Sequence, residues 1–266
     1  MIDKKHITGI ILAGGKSTRM GTDKGFLMLN GKKFVEHSID ALKPMVSKIM
    51  IVSDNPDYDI FGLERIDDFI KNAGPVSGIY SGLKHSKTDY NLVLSCDIPL
   101  IASKVLNKII DAIDDASEII QVESNGKTMP LIALYKKSCA DIFYKLLQAD
   151  ERRLRIAVNH CQTKTIALDD TLAFCTSNVN TKTALKNLKM TITIKYFGQI
   201  AEVTKKEEES LVFTGCSISE LLEMLYSKYN LLKNKDFQVA QNQRLVAVDS
   251  KITGKEIALL PPFSGG

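Results

Sequence analysis

The segment Ile7-Thr8-Gly9-Ile10-Ile11-Leu12-Ala13-Gly14-Gly15-Lys16-Ser17-Thr18-Arg19-Met20-Gly21-Thr22-Asp23-Lys24 joins an apolar run to a glycine-rich, basic turn. Ile10 to Leu12 read as a buried strand. Gly14 and Gly15 then free the backbone to turn, and without side chains they let main-chain N–H groups approach a ligand closely. Amides gathered at such a turn form a concave anion site. Lys16, Arg19 and Lys24 set three cations beside it. These residue types suit a grip on a polyphosphate.

Two common phosphate loops are excluded by spacing. A P-loop needs a glycine five positions before its Gly-Lys-Ser/Thr. Gly15-Lys16-Ser17 supplies that ending, but the required glycine falls at Ile10, and Gly9 comes one residue too early. The dinucleotide fingerprint G-x-G-x-x-G is also missing, because Gly14, Gly15 and Gly21 are wrongly spaced.

Beyond the turn, apolar runs alternate with amphipathic segments. Phe34 to Leu42 predicts a helix ending before Pro44, Ile49-Met50-Ile51-Val52 a second strand, and Asn91 to Ser95 a third. Ser103 to Ile113 carries apolar residues at helical spacing, and Met129 to Tyr135 reads as a strand entered through Pro130. Such alternation predicts an α/β fold with a mostly parallel sheet covered on both faces. Ligands of such sheets bind beyond the carboxyl ends of the strands. The loops after Leu12, Val52 and Ser95 are therefore expected to meet at one crevice. Asp97, just past the third strand in Ser95-Cys96-Asp97-Ile98-Pro99, would stand at that edge. A carboxylate completed by phosphate oxygens is how nucleotide enzymes usually hold Mg²⁺. Capping the following helix is the plainer role for such an aspartate.

Composition bounds the class of protein. A chain of 266 residues with 44% hydrophobic and 25% charged content can bury an ample core and matches ordinary globular domains. The net charge of +4 is too small to argue for a nucleic-acid partner. Cys96, Cys139, Cys161, Cys175 and Cys216 form no C-x-x-C pair. An odd, scattered set fits reduced thiols and a cytoplasmic location rather than disulfides or a zinc knuckle. No run reaches the length of a membrane span.

The form Leu-Ala-Gly-Gly-x-Ser-x-Arg-Met-Gly-x-Asp-Lys, complete from Leu12 to Lys24, resembles the signature of the molybdenum cofactor guanylyltransferases. Cys96-Asp97-x-Pro99 is similar to that family's second motif, and Gly74-Pro75-Val76-Ser77-Gly78 is close to its Gly-Pro-Leu-Ala-Gly. The resemblance implies a Rossmann-like nucleotidyltransferase that moves GMP from GTP to molybdenum-molybdopterin and releases pyrophosphate. It implies Mg²⁺ on Asp97, with Arg19, Lys24 and Asp97 as the catalytic set. Nucleotide contacts would come from Leu12, Ala13, Gly14, Gly15, Lys24, Ser53, Asp67 and Asp97. By spacing to Gly74, Asp67 matches the family's nucleotide-binding acid better than its neighbour Asp68. Ser53-Asp54-Asn55-Pro56 departs from the commoner Asn/Ser-Ala-Asn-Arg and is equally readable as turn chemistry. Arg152-Arg153 resembles an Arg-Arg element suited to phosphate, although a solvated helix face explains such a run as well. Asn178-Val179-Asn180-Thr181 is similar to the family's closing motif, which implies a pterin-side wall. The compact spacing from Arg19 to Lys24 sets the chain apart from sugar-phosphate relatives, which have a longer gap before a Pro-Lys pair.

Near residue 189 the character changes, giving expected domains of 1–188 and 190–266. Thr181 to Leu188 is helix-like, and Thr191 to Tyr196 alternate as a strand. A charged turn over Lys205 to Glu209 leads to Leu211-Val212-Phe213. Ser217 or Ser219 caps a helix with Leu221, Leu222, Leu225 and Tyr226 on its apolar face, and short strands follow at 245–248 and 257–260. This order suggests a small α+β, ubiquitin-like β-grasp domain. It ends Leu260-Pro261-Pro262-Phe263-Ser264-Gly265-Gly266, which resembles the tail of the molybdopterin synthase small subunit, a sulfur carrier. The resemblance implies that Gly266 is adenylated by an E1-like activating enzyme, becomes a thiocarboxylate, and donates sulfur in the synthase large subunit. The alternatives are a transferase acting on another phosphorylated substrate, and a β-grasp module used only for docking. The double proline argues against a thiamine-pathway carrier.

Overall fold

The computed structural model describes residues 3–14, 23–71, 73–215 and 217–262. The chain forms two compact units, residues 1–181 and 182–266.

The first unit contains β1 (Ile7–Leu12), a hairpin of β2 (Met28–Leu29) and β3 (Lys32–Lys33), α1 (Phe34–Leu42), β4 (Lys48–Val52), β5 (Glu64–Ile66) and α2 (Pro75–His85). It continues with β6 (Tyr90–Ser95), α3 (Ser103–Asp111), β7 (Ile119–Ser124), β8 (Lys127–Lys136), α4 (Cys139–Gln148), α5 (Leu154–Asn159), β9 (Thr163–Ala167) and α6 (Asp170–Phe174). Seven strands form one sheet in the order β5-β4-β1-β6-β8-β7-β9. Pairing is parallel from β5 through β6 and between β7 and β9, and antiparallel where β8 meets β6 and β7. The antiparallel insert comes from Asn125-Gly126, both at positive φ (51° and 70°), the backbone of a two-residue hairpin turn.

Both faces of the sheet are covered, which is why its central strands β1, β4 and β6 are nearly continuous runs of buried apolar residues, whereas the edge strand β9 is mostly polar and half-exposed. Ile11, Leu92 and Leu94 pack with Val35, Leu42, Leu106 and Ile109 from α1 and α3. Their neighbours Ile10 and Val93 point the other way, against Val76, Ile79 and Leu83 of α2 and Phe143 of α4. Gly82 lets α2 approach β1: a Cβ there would lie 2.7 Å from Ile10 Cγ2. Register pairs Leu12 with both Val52 and Ser95. Three strands therefore end on one line, and the loops that follow them leave the sheet together.

The second unit contains α7 (Lys182–Asn187), β10 (Met190–Tyr196), α8 (Gln199–Thr204), β11 (Glu208–Phe213), α9 (Ile218–Lys228), β12 (Gln238–Gln241), β13 (Arg244–Val246) and β14 (Glu256–Leu260). Its sheet runs β11-β10-β14-β12-β13, with the first and last strands parallel at the centre. This is a β-grasp. The helix α9 lays Leu221, Leu222 and Leu225 on Ile192, Ile194, Ile257 and Leu259. Ser217 is its N-cap and Glu220 closes the capping box.

The local expectations need correction at two places. The strand placed at 245–248 stops at Val246, with Leu245 and Val248 more than half exposed. Its partner β12 has one buried large apolar side chain, Val239, so sequence alternation is nearly silent there. The charged turn over 205–209 is shorter than expected: α8 precedes it, Lys205 takes φ 55°, and Glu208 already belongs to β11. Gly266 lies outside the described residues. Among those described, no helix is long and apolar enough to cross a membrane.

Glu209 pins the β-grasp. Its side chain is 7% exposed, and it accepts from Tyr196 Oη (2.7 Å), Tyr229 Oη (2.8 Å), Lys206 Nζ (2.7 Å) and Lys228 Nζ (2.7 Å). Burial alone would raise its pKa, but these donors outweigh burial and hold the carboxyl at about 2. A depressed carboxyl stabilises the fold above its unfolded pKa, and that stability fades as pH falls through the folded value. Glu209→Gln should cost the second unit roughly 2–3 kcal/mol near neutral pH. It should also flatten the loss of stability between about pH 4.5 and 2, read from urea midpoints followed by tyrosine near-ultraviolet dichroism.

Candidate active site

The end of β1 is held on both sides. Ala13 N–H donates to Val52 O and Cys96 N–H to Leu12 O, each at 3.0 Å, extending the ladders one residue past the strand. The chain then turns at Gly14, whose φ of 101° suits glycine and whose absent Cβ would lie 3.0 Å from Ser53 Oγ. Gly15 and Arg19 lie outside the described residues, as does all of 15–22. The chain re-enters at Asp23, whose carboxylate accepts from Gly25 N–H and caps a 3-10 turn over Lys24–Phe26.

That turn sends Lys24 to Asp97. Lys24 Nζ lies 3.0 Å from Asp97 Oδ2 and also donates to Asn180 Oδ1. The other carboxylate oxygen of Asp97 accepts from Ser95 Oγ at 2.7 Å. Val179 N–H donates to Asp97 O at 2.8 Å, so the 178–181 segment is tied to the same point. Asp97 is buried, with 9% of its surface exposed. Beside this pair opens a cleft of about 640 Å³, walled by Leu12, Ala13 and Gly14, by Ser53, Asp54 and Asn55, and by Gly74 with Pro75 and Gly78 of α2. Ser95 belongs to the same wall, which puts the ion pair at that end of the cleft.

Ser53 is buried in the wall, its N–H on Ile66 O at 2.9 Å and its Oγ accepting Asn55 N–H at 3.2 Å. Asn55 caps the 3-10 helix Pro56–Phe61, so the turn reading of this tetrapeptide is right, and the same turn walls the cleft. Gly78 lies in the first turns of α2, where its missing Cβ admits Leu12 Cδ2, 3.2 Å from the position that atom would take.

Asp67 and Asp68 divide differently from the spacing argument. The Asp67 carboxylate is exposed and paired with Arg65, which also grips Asp59 and Ser53 O. Asp68 faces the cleft. Its N–H donates to Asp54 Oδ1 at 3.0 Å, while its own Oδ1 is buried with no hydrogen-bond partner among the described residues. Burial first, then the charges of Asp54 and Asp67, push its pKa up to about 6. The signal that could have chosen it is strand alternation carried past β5: Ile66 is buried, Asp67 exposed and Asp68 half-buried. Arg152 and Arg153 are exposed and pair with Asp150 and Glu151 beside them, not with the cleft.

Comparison with known proteins agrees with this arrangement. Residues 9–164 match the family model described as the MobA-like NTP transferase domain, and residues 194–266 match the ThiS family. The chain belongs to the MobA-like NTP transferase family. It is similar to a probable molybdenum cofactor guanylyltransferase of Flavobacterium johnsoniae, with 34% identity over 70% of this chain and 98% of that protein. A molybdenum cofactor guanylyltransferase of Vibrio parahaemolyticus is 32% identical over 68% of this chain and 94% of its own length. Among solved structures, molybdopterin-guanine dinucleotide biosynthesis protein A of Archaeoglobus fulgidus shares the fold at a TM-score of 0.58 and 22% identity, covering 68% of this chain and 95% of that one. This MobA-like enzyme is thus a nucleotidyltransferase carrying a ThiS-family β-grasp domain.

Burial of Asp68 beside the carboxylates of Asp54 and Asp67 has a cost that this transferase carries when Asp68 is ionised. A carboxyl whose folded pKa is raised loses stability as pH rises from the unfolded to the folded value. Asp68→Asn should therefore melt about 2–4 °C above the parent at pH 8, roughly 1 kcal/mol. The gap should close as pH is lowered from about 6 towards 4. Melting curves of the two proteins across that range test it.

Proposed function

We propose that this chain is a molybdenum cofactor guanylyltransferase, residues 1–188, fused to a sulfur carrier, residues 190–266. The observation that carries the first part is convergence: the glycine turn after Leu12, the Lys24–Asp97 pair and the cleft wall of Ser53, Asp68 and Gly78 meet at one sheet edge. The family relationship and the names of the similar proteins support the same reading.

In the proposed reaction a terminal phosphate oxygen of molybdopterin attacks the α-phosphorus of GTP. A new P–O bond forms, the bond to the β-phosphate oxygen breaks, and pyrophosphate leaves with those electrons. A phosphate monoester is largely ionised near neutral pH, so the enzyme needs no general base to activate it. Its work is to bring two anions together and to stabilise charge on the leaving group. Lys24 and Arg19 are assigned to the triphosphate, and the backbone of Leu12, Ala13, Gly14 and Gly15 to the nucleotide. Ser53 and Asp68 take the base and ribose side, in place of Asp67, because the buried oxygen of Asp68 suits a ligand that brings hydroxyl or amide donors.

Mg²⁺ fits this donor set as a metal delivered with its nucleotide. Among the described residues no three His, Cys, Asp or Glu side chains gather into a cage. One carboxylate plus substrate phosphate oxygens is the usual arrangement for magnesium. Asp97 would supply that carboxylate, and the ion would neutralise charge on the triphosphate.

In the second part, the tail after β14 is the reactive element. Leu260 ends the central strand, and Pro261-Pro262 carries the chain away from the sheet, since proline cannot continue the ladder. The match to the ThiS family supports an E1-like adenylating enzyme and a synthase large subunit as partners.

Pyrophosphate release should require molybdopterin and be fastest with GTP among the nucleoside triphosphates. Lys24→Ala should raise the barrier by about 2–4 kcal/mol, on the order of thirty- to a thousandfold in kcat. No release with any triphosphate would overturn the transferase reading. After incubation with the activating enzyme, ATP and a sulfur donor, the intact chain should gain the mass difference between sulfur and oxygen at Gly266. A chain lacking Gly265 and Gly266 should gain nothing while retaining pyrophosphate release.

A further inference from the structure

The turn that presents Lys24 is held by a carboxylate, Asp23, within the wall of a cleft that must receive a polyanion. An acidic group in that place works against binding unless it is fully engaged elsewhere. It is engaged on both oxygens. Tyr58 Oη donates to Asp23 Oδ1 at 2.6 Å, Gly25 N–H donates to the same atom at 3.1 Å, and Asn55 Nδ2 donates to Oδ2 at 3.2 Å.

Tyr58 is completely buried in the 3-10 helix Pro56–Phe61, an element separate from the Lys24 turn. Its ring lies 4.7 Å from that of Phe26, the last residue of the turn. Gly25 leaves the room that the hydroxyl fills, for a Cβ on Gly25 would collide with Tyr58 Oη. Burial first, with Cys96 and Asp23 nearby, keeps the phenol protonated far above its ordinary range, so it stays a donor. The hydroxyl, the carboxylate and the turn form one continuous chain ending at Lys24 Nζ, 3.0 Å from Asp97.

We propose that Tyr58 is a positioning residue for transfer: through Asp23 it fixes the turn so that Lys24 meets the triphosphate, without itself contacting nucleotide. This rests on the role of Lys24 given under Proposed function. Tyr58→Phe keeps the ring packing and removes only the hydroxyl, so it separates positioning from core filling. The turn would then tolerate displacements that a rigid cation cannot.

The experiment compares pyrophosphate release from GTP and molybdopterin by the full chain and by Tyr58→Phe and Gly25→Ala. For Tyr58→Phe, kcat should fall on the order of ten- to a hundredfold, as loss of positioning by about an ångström does. The KM for GTP should move less than about threefold, because the contact is made in the transition state and not in uniform binding. Melting temperature should stay within about 4 °C of the parent, the scale of a single lost hydrogen bond. Gly25→Ala should reproduce the kcat loss by displacing the same hydroxyl, and it carries the test if Tyr58→Phe does not fold. Parent-like kcat in a folded variant, or a loss confined to KM, overturns the positioning role alone. A parent chain that turns over no GTP overturns the transferase reading and this inference with it.

Discussion

Lys24 and Asp97 stand 73 residues apart in the chain and 3.0 Å apart in space. Their side chains are 25% and 12% exposed. Two charges this sheltered are expensive to separate, since removing one leaves the other buried without compensation. The pair therefore sets a condition on everything near it. Asp97 must leave β6 at the same edge at which β1 turns, which the parallel register of Leu12 with Ser95 ensures. The turn carrying Lys24 must be stiff, which the Asp23 cap and its donors provide. The 178–181 segment must return to the same place, and it does so through Val179 and Asn180.

Among the described residues, the charged side chains lining the crevice beside that pair are acidic. Asp23, Asp54 and Asp68 all line it. Asp23 and Asp54 are occupied by donors from the protein, so they act as framework. Asp68 is the exception, with a buried oxygen that no described residue partners and its pKa raised by burial and by neighbouring carboxylates. Proteins accept such local instability where binding needs it. The β-grasp unit shows the opposite use of a buried acid: Glu209 collects two tyrosines and two lysines and serves stability.

Much of this was legible from residue order because it rests on local rules. The apolar run before Gly14, the helix over 34–42 and the Ser217 cap are determined by neighbours a few positions away. Elsewhere the local signal is thin or is overridden by pairing across the sheet. Strand–helix alternation predicts parallel pairing, whereas the hairpin dipeptide Asn125-Gly126 folds β8 back on β7 and makes the insert antiparallel. The strand β12 is recognisable only by what it pairs with, β14 on one side and β13 on the other. Asp67 and Asp68 are chemically identical, and spacing to a distant glycine is a weaker guide than the direction in which each leaves β5.

From its sequence alone this protein was already committed to an α/β nucleotidyltransferase unit followed by a β-grasp unit, because periodicity, glycine turns and short motifs are written along the chain. Only the tertiary structure decided which acid faces the cleft, which hydroxyl braces the Lys24 turn, and where the sheet reverses direction. Those outcomes depend on burial and on partners dozens of residues away. The free energy of a charge or a hydroxyl is settled by what surrounds it in space, and a linear sequence does not display that.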